Sequence, residues 1–186
     1  MKPPMLKFLF ALLFCFEATD TYSQKIMIGN EVTNRLLTWD DFKGKPDANS
    51  PHYAVTYWGM IYQLNGIRTY GDSVHIDELI VELRMDTKKS WCKKEFVTDD
   101  LLKHEQGHFD IGKLCLKEFL TLYHNTTFHK KDMDATMKNI FYTTMHKYDE
   151  LGVQYDRETD HSQQKEAQQH WNTFFAKYDY TRALAK

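Results

Sequence analysis

The sequence predicts an α+β domain, a small antiparallel sheet followed by a three-helix segment, on three observations. Residues 53–85 are rich in Val, Ile, Tyr and Trp, alternate apolar with polar side chains, and are cut by glycine-containing turns. From Thr98 onward the apolar period becomes that of a helix, in three separate segments. Strands first and helices second place the helices against a sheet. The 186 residues are 42% hydrophobic and 15% aromatic, enough to bury one core without disulfides. With 24 Lys+Arg against 26 Asp+Glu, the chain offers no electrostatic footprint for nucleic acid or an anionic membrane surface.

At the N-terminus, Lys2 and Lys7 precede an apolar run at 8–16, followed by Thr21-Tyr22-Ser23-Gln24. This is the order of a cleavable leader, with cleavage expected after Ser23, residues 24–186 as one domain, and a secreted or periplasmic location. The run is shorter than the roughly 20 residues that span a bilayer, so no stable span is expected after cleavage. Cys92 and Cys115 then remain. A helix beginning near Thr98 carries Cys115 about 25 Å along its axis, beyond the roughly 20 Å reach of the segment from Cys92 to Thr98, which favours two buried thiols over a bridge.

Residues 43–51, with Pro46 and Pro51, read as a loop. Residues 53–64 and 67–70 read as a hairpin around Asn65-Gly66, Gly71-Asp72-Ser73 as the next turn, and residues 74–85 as one or two further strands. Thr98 is a natural N-cap with Asp99 and Asp100 in the first turn of a helix reaching about residue 123. A second helix spans residues 131–151 and stops at Gly152. A polar, non-helical stretch at 154–162 leads to a third helix ending near residue 178.

The first helix contains His104-Glu105-Gln106-Gly107-His108, an HExxH sequence. Histidines four apart lie on one helix face and can share a metal, and the glutamate beside the first is held near an open coordination position. Leu101, His104, His108, Ile111, Cys115, Phe119 and Leu122 form one stripe, so the two histidines interrupt an apolar seam. Two imidazoles with an open position point to Zn2+. A third ligand is required. The second helix reads as packing, with His146, Asp149 and Glu150 turned away from its apolar face; His124 and His129 flank a polar turn. The polar stretch after that helix can return over the metal, which favours His161, with Asp156 or Glu158 as alternatives and a glutamate elsewhere as the remainder.

The chain resembles the bacterial family catalogued as domain of unknown function 922, described as predicted secreted zinc-dependent proteases. The resemblance is carried by Leu37-Thr38-Trp39-Asp40-Asp41-Phe42-Lys43-Gly44, by Ser90-Trp91, by Leu101 through Ile111 with its HEQGHFDI string, and by Tyr155-Asp156-Arg157-Glu158-Thr159-Asp160-His161. An acidic residue often stands in the family at the position of Lys113, and a glycine at that of Ser162. The resemblance implies a zincin-like metallopeptidase, with a peptide or protein as substrate and no substrate class specified.

The residue types then suggest roles. Zinc held by His104, His108 and His161 would acidify water and polarise a scissile carbonyl, with Glu105 as general base. Tyr155 could donate to the oxyanion, or pack beneath the loop. Asp156 or Glu158 could orient a ligand imidazole. Trp39, Phe42, Trp91 and Phe109 read as core or loop anchors. By analogy with zincin enzymes, residues 79–85 are a candidate strand wall for substrate. The competing reading is a non-catalytic zinc protein of the cell envelope that binds a partner; Glu105 speaks against it, because a closed structural site has no use for a base.

For the leader, N-terminal sequencing of protein recovered from the envelope or medium is expected to begin near Gln24. An intact Met1 in a soluble cytoplasmic fraction rejects it.

Overall fold

A computed structural model describes residues 21–178. In chain order it contains β1 (Thr21–Ile28), β2 (Glu31–Val32), β3 (Ala54–Val55), β4 (Trp58–Tyr70), β5 (Ser73–Met85), β6 (Trp91–Cys92), α1 (Asp99–His124), α2 (Met133–Thr159) and α3 (Lys165–Lys177). The fold is α+β, with a four-stranded sheet in the order β2-β1-β5-β4 and a separate β3-β6 ribbon. The expected leader falls, up to residue 20, outside the described residues. Thr21, Tyr22 and Ser23 open β1, opposite Glu78, Leu79 and Ile80. No helix among the described residues is long and apolar enough to cross a membrane.

Three sequence expectations need correction. The sheet is mixed, not antiparallel, because β1 runs parallel to β5 over its whole length. β1 precedes the stretch in which alternation is visible, and its partner lies more than fifty positions along the chain, so local pattern carries no sign of the pairing.

The expected turn at Asn65-Gly66 is instead the middle of β4. Pairing with β5 continues in one register from Trp58↔Met85 to Tyr70↔Ser73, and the chain reverses at Gly71-Asp72. Gly71 has φ +63°, which suits a two-residue hairpin turn. Gly66 also has positive φ, +65°, and a Cβ there would collide with the Asp77 side chain. It marks a change of face: Leu79, Val81, Leu83 and Met85 are buried on one side of this point, Ile76 on the other, out of step with them. The glycine signal was real, but its use is to let the strand pair exchange faces.

The second helix does not stop at Gly152. α2 continues to Thr159 because its apolar spacing does: Tyr148, Tyr155 and Thr159 are buried on the face that begins with Met137 and Phe141. Residues 154–159 of the segment read as a loop therefore belong to the helix, and only 160–162 form the turn after it.

α1, 26 residues and about 39 Å long, is enclosed on most sides. Phe109, Ile111, Cys115, Leu116 and Phe119 are fully buried against β5, β4 and α2. Tyr62, Phe119 and Phe141 form an aromatic cluster with centroids 4.9–5.9 Å apart. At Gly112 a Cβ would lie 2.9 Å from the Trp58 ring, so glycine lets α1 settle onto β4. Thr98 caps the helix, accepting from the Leu101 amide at 3.1 Å. Cys92 and Cys115 are free buried thiols, and burial pushes the Cys115 thiol up to about 12.

The remaining side of α1 is covered by the segment before β3. Gln106 Oε1 accepts from the Leu37 amide at 2.8 Å. Asp41, in a single 3-10 turn at Trp39–Asp41, accepts both Arg35 guanidinium nitrogens at 2.7 Å and the Thr38 amide at 2.8 Å. Gly44 donates to Ser90 O at 2.8 Å, and a Cβ there would lie 2.7 Å from Lys88 O. Ser90 in turn accepts from the Tyr57 amide at 2.9 Å.

Burial opposes ionisation of Asp41, but Arg35 and Thr38 overcome it and hold its pKa below the ordinary 3.8. A carboxylate depressed in the folded state contributes stability above its unfolded pKa and loses it as pH falls through the folded value. Asp41→Asn is expected to lower stability at pH 7 by about 1–3 kcal/mol. Urea titrations at pH 7 and in the acid range below pH 4 are expected to show this gap shrinking as pH falls; a gap independent of pH rejects the assignment.

Candidate metal centre

The centre begins with helix geometry. His104 and His108 occupy successive turns of α1 and present Nε2 toward α2. Asp156, on the last turn of α2, puts Oδ1 3.0 Å from His104 Nε2 and 2.9 Å from His108 Nε2. Among the described residues, His104, His108 and Asp156 are the group whose donor atoms all lie within 4.8 Å of one another. His161 sits beside them, Nδ1 3.3 Å from the same Asp156 oxygen and its side chain 42% exposed. Glu158 lies apart, accepting from Trp171 Nε1 at 2.8 Å and Gln154 at 2.7 Å.

His104 is fixed from behind. Its Nδ1 donates to Gln168 Oε1 at 3.1 Å, which leaves the Nε2 lone pair facing Asp156. Gln168 Nε2 donates to the Tyr155 hydroxyl at 2.7 Å, and that hydroxyl donates to the His104 carbonyl at 3.1 Å. The Tyr155 ring stacks on the His104 ring, centroids 4.6 Å apart. The phenol is fully buried, so it supports the ligand from beneath and does not line the cleft. Burial also drives its pKa upward. The α1 residue facing it is Gly107, where a Cβ would collide with the Tyr155 hydroxyl.

Glu105 is buried at the cleft floor, and its Oε2 accepts from Thr56 Oγ1 at 2.7 Å. The cleft has a volume of about 360 Å³, and its walls include Ala54, Thr56, Tyr148, Gly152, Asp156 and His161. Burial opposes ionisation of Asp156, yet the imidazoles of His104 and His108 beside it hold its carboxyl far below the usual range. Burial likewise disfavours charge on His108, but Asp156 and Glu105 together raise its pKa.

The expected substrate wall at residues 79–85 is corrected by topology. β5 is hydrogen-bonded on both edges, to β1 and β4, so it cannot accept another strand. Residues of the cleft wall come instead from 51–56, including β3, whose ribbon partner is β6.

Sequence reasoning missed Gln168, Thr56 and the role of Gln106. Gln168 shares a helical stripe with Trp171 and Phe175, a polar residue in an apolar seam, the same signal that His104 gives. Thr56 carries no comparable signal. Gln106 also donates to Asp110 Oδ1 at 2.8 Å, which accepts from Lys113 Nζ at 2.9 Å, so the lysine at the often acidic family position is neutralised locally.

Residues 74–163 match the model of a family described as Bacterial protein of unknown function (DUF922), the family that the sequence motifs resemble. The match runs from β5 through α2 and the turn after it, and includes His104, Glu105, His108, Asp156 and His161. No curated protein and no solved structure matches the chain.

Two imidazoles and a carboxylate, with one imidazole locked in the metal-binding tautomer, fit a divalent zinc-type ion. One metal per chain is the expected result of elemental analysis, falling to a trace in His104→Ala, His108→Ala and Asp156→Ala, with a lower melting temperature in metal-containing buffer because site and fold are linked. Full metal retention in Asp156→Ala removes it from the donor set.

Proposed function

We propose that this domain is a secreted or periplasmic zinc-dependent peptidase, with His104, His108 and Asp156 as the protein's metal donors and Glu105 as its general base. The observation that carries this reading is Glu105. A buried carboxylate adjoins two histidines at the floor of a cleft and is oriented by a hydroxyl from the opposite wall. A metal that only tied helices together would have no need of such a group.

Zinc held by these three residues would lower the pKa of water and polarise a scissile carbonyl. The chain's own residues do the rest. Thr56 occupies Oε2 of Glu105, which leaves Oε1 as the site that takes a proton and returns it to the leaving amine. Gln168 holds the His104 tautomer and Tyr155 holds its ring plane. The peptide lies against residues 51–56, where Val55, Trp58 and Leu101 give the cleft an apolar side.

Glu105→Gln is the test. The variant is expected to keep about one zinc and a similar melting temperature while cleavage of a peptide library falls by at least about 10²-fold. Unchanged cleavage removes the peptidase reading and leaves the non-catalytic envelope role.

A further inference from the structure

His161 is placed unlike the other two histidines. His104 is almost fully buried and tied at its far nitrogen to Gln168. The His161 ring stands at the cleft wall, with Nδ1 toward Asp156 and its centroid 4.5 Å from that of the His52 ring, edge to face at an interplanar angle of 68°. The backbone that puts it there is strained. Asp160, His161 and Ser162 have φ values of 45°, 51° and 80°, three successive left-handed residues, each bearing a Cβ. Such conformations persist only where the surroundings impose them, and they gather at functional sites. Here the imposing bonds run from the His161 amide to Asp156 O at 3.2 Å and from the Gln164 amide to Thr159 O at 2.8 Å. They end α2 abruptly and turn His161 back over the cleft.

We infer that His161 is a catalytic residue facing the substrate and not a metal donor: its Nε2–H, on the nitrogen that does not face Asp156, hydrogen-bonds the scissile carbonyl oxygen as that oxygen gains negative charge, with His52 packed against the ring to hold it. This rests on the peptidase reading. Three arguments carry it. Asp156 already supplies a third protein donor, and a catalytic site of this type keeps its remaining position open. A group that stabilises developing charge must present an N–H or O–H into the cleft. The buried Tyr155 hydroxyl is engaged with His104 and Gln168, and the Thr56 hydroxyl with Glu105; of the donors that line the cleft, His161 is the one held directly beside Asp156. The interaction is a hydrogen bond alone, with no bond to the chain made or broken.

The experiment compares the full chain with His161→Ala and His161→Gln in three measurements: zinc affinity by chelator competition, kcat and KM on a library peptide, and affinity of the zinc-loaded protein for a blocked phosphinic dipeptide, a tetrahedral anion. His161→Ala is expected to hold zinc within about twofold of the unsubstituted chain, to lose about 10²-fold in kcat with little change in KM, and to bind the phosphinate at least tenfold more weakly. His161→Gln, which keeps an N–H donor, is expected to recover part of both losses. A tenfold or greater fall in zinc affinity makes His161 a metal donor and overturns the inference, as does an unchanged kcat. If the unsubstituted chain cleaves no peptide, the peptidase reading fails by itself, and the phosphinate decides: weaker binding by His161→Ala sustains the substrate-facing role, while equal or absent binding overturns it.

Discussion

The contact between Gly107 and Tyr155 sets how closely α1 and α2 approach, and the rest of the centre follows from that distance. With no side chain at 107, the phenol lies against the α1 backbone, stacks on His104 and bonds its carbonyl. Asp156 is the next residue of α2, so the same approach carries its carboxylate onto both Nε2 atoms. One turn earlier the constraint is gone, since a Cβ on Gly152 would make only an ordinary contact, 4.0 Å from His108 Nδ1. Any side chain at 107 would have to push α2 outward and take Asp156 with it.

A second set of contacts builds the wall opposite the donors. Gln106 grips Leu37, Asp41 orders the turn that follows, and Gly44 reaches Ser90. Ser90 then holds Tyr57, at the end of the segment that carries Thr56 to Glu105. The four stretches that carry the family resemblance are separated in sequence by long, unremarked intervals, yet they form one continuous chain of bonds. Two of them carry the candidate chemistry. The other two fix the position of the wall that faces it.

Much of this was legible in the residues, and what was not has physical causes. His104, Glu105 and His108 declare themselves because their spacing matches both helix and metal. The capped start of α1 is equally plain from Thr98, Asp99 and Asp100. Asp156 stood among the weighed alternatives, but Gly152 and the polar residues around it disguised the last turns of α2 as a loop; the clue was the continuing spacing of Tyr148, Tyr155 and Thr159. Asn65-Gly66 misled because a glycine's freedom serves a change of face as well as a reversal. β1 could not be read at all, since the direction and partner of a strand are long-range properties. Ser162 is instructive in another way: its φ of 80° is one that glycine adopts freely, which accounts for the residue the family often has there.

The parallel pairing of β1 with β5 bears on how the molecule assembles. The β4–β5 hairpin closes through two residues, and α1 joins α2 through a short connection, so these units form from near neighbours. β1 is synthesised first, yet its partner lies far downstream, and closing that loop carries the largest entropic cost in the sheet. In kinetic terms, the earliest residues of the described chain are expected to dock last, β1 and β2 closing onto an edge of β5 that the β4–β5 hairpin has already built.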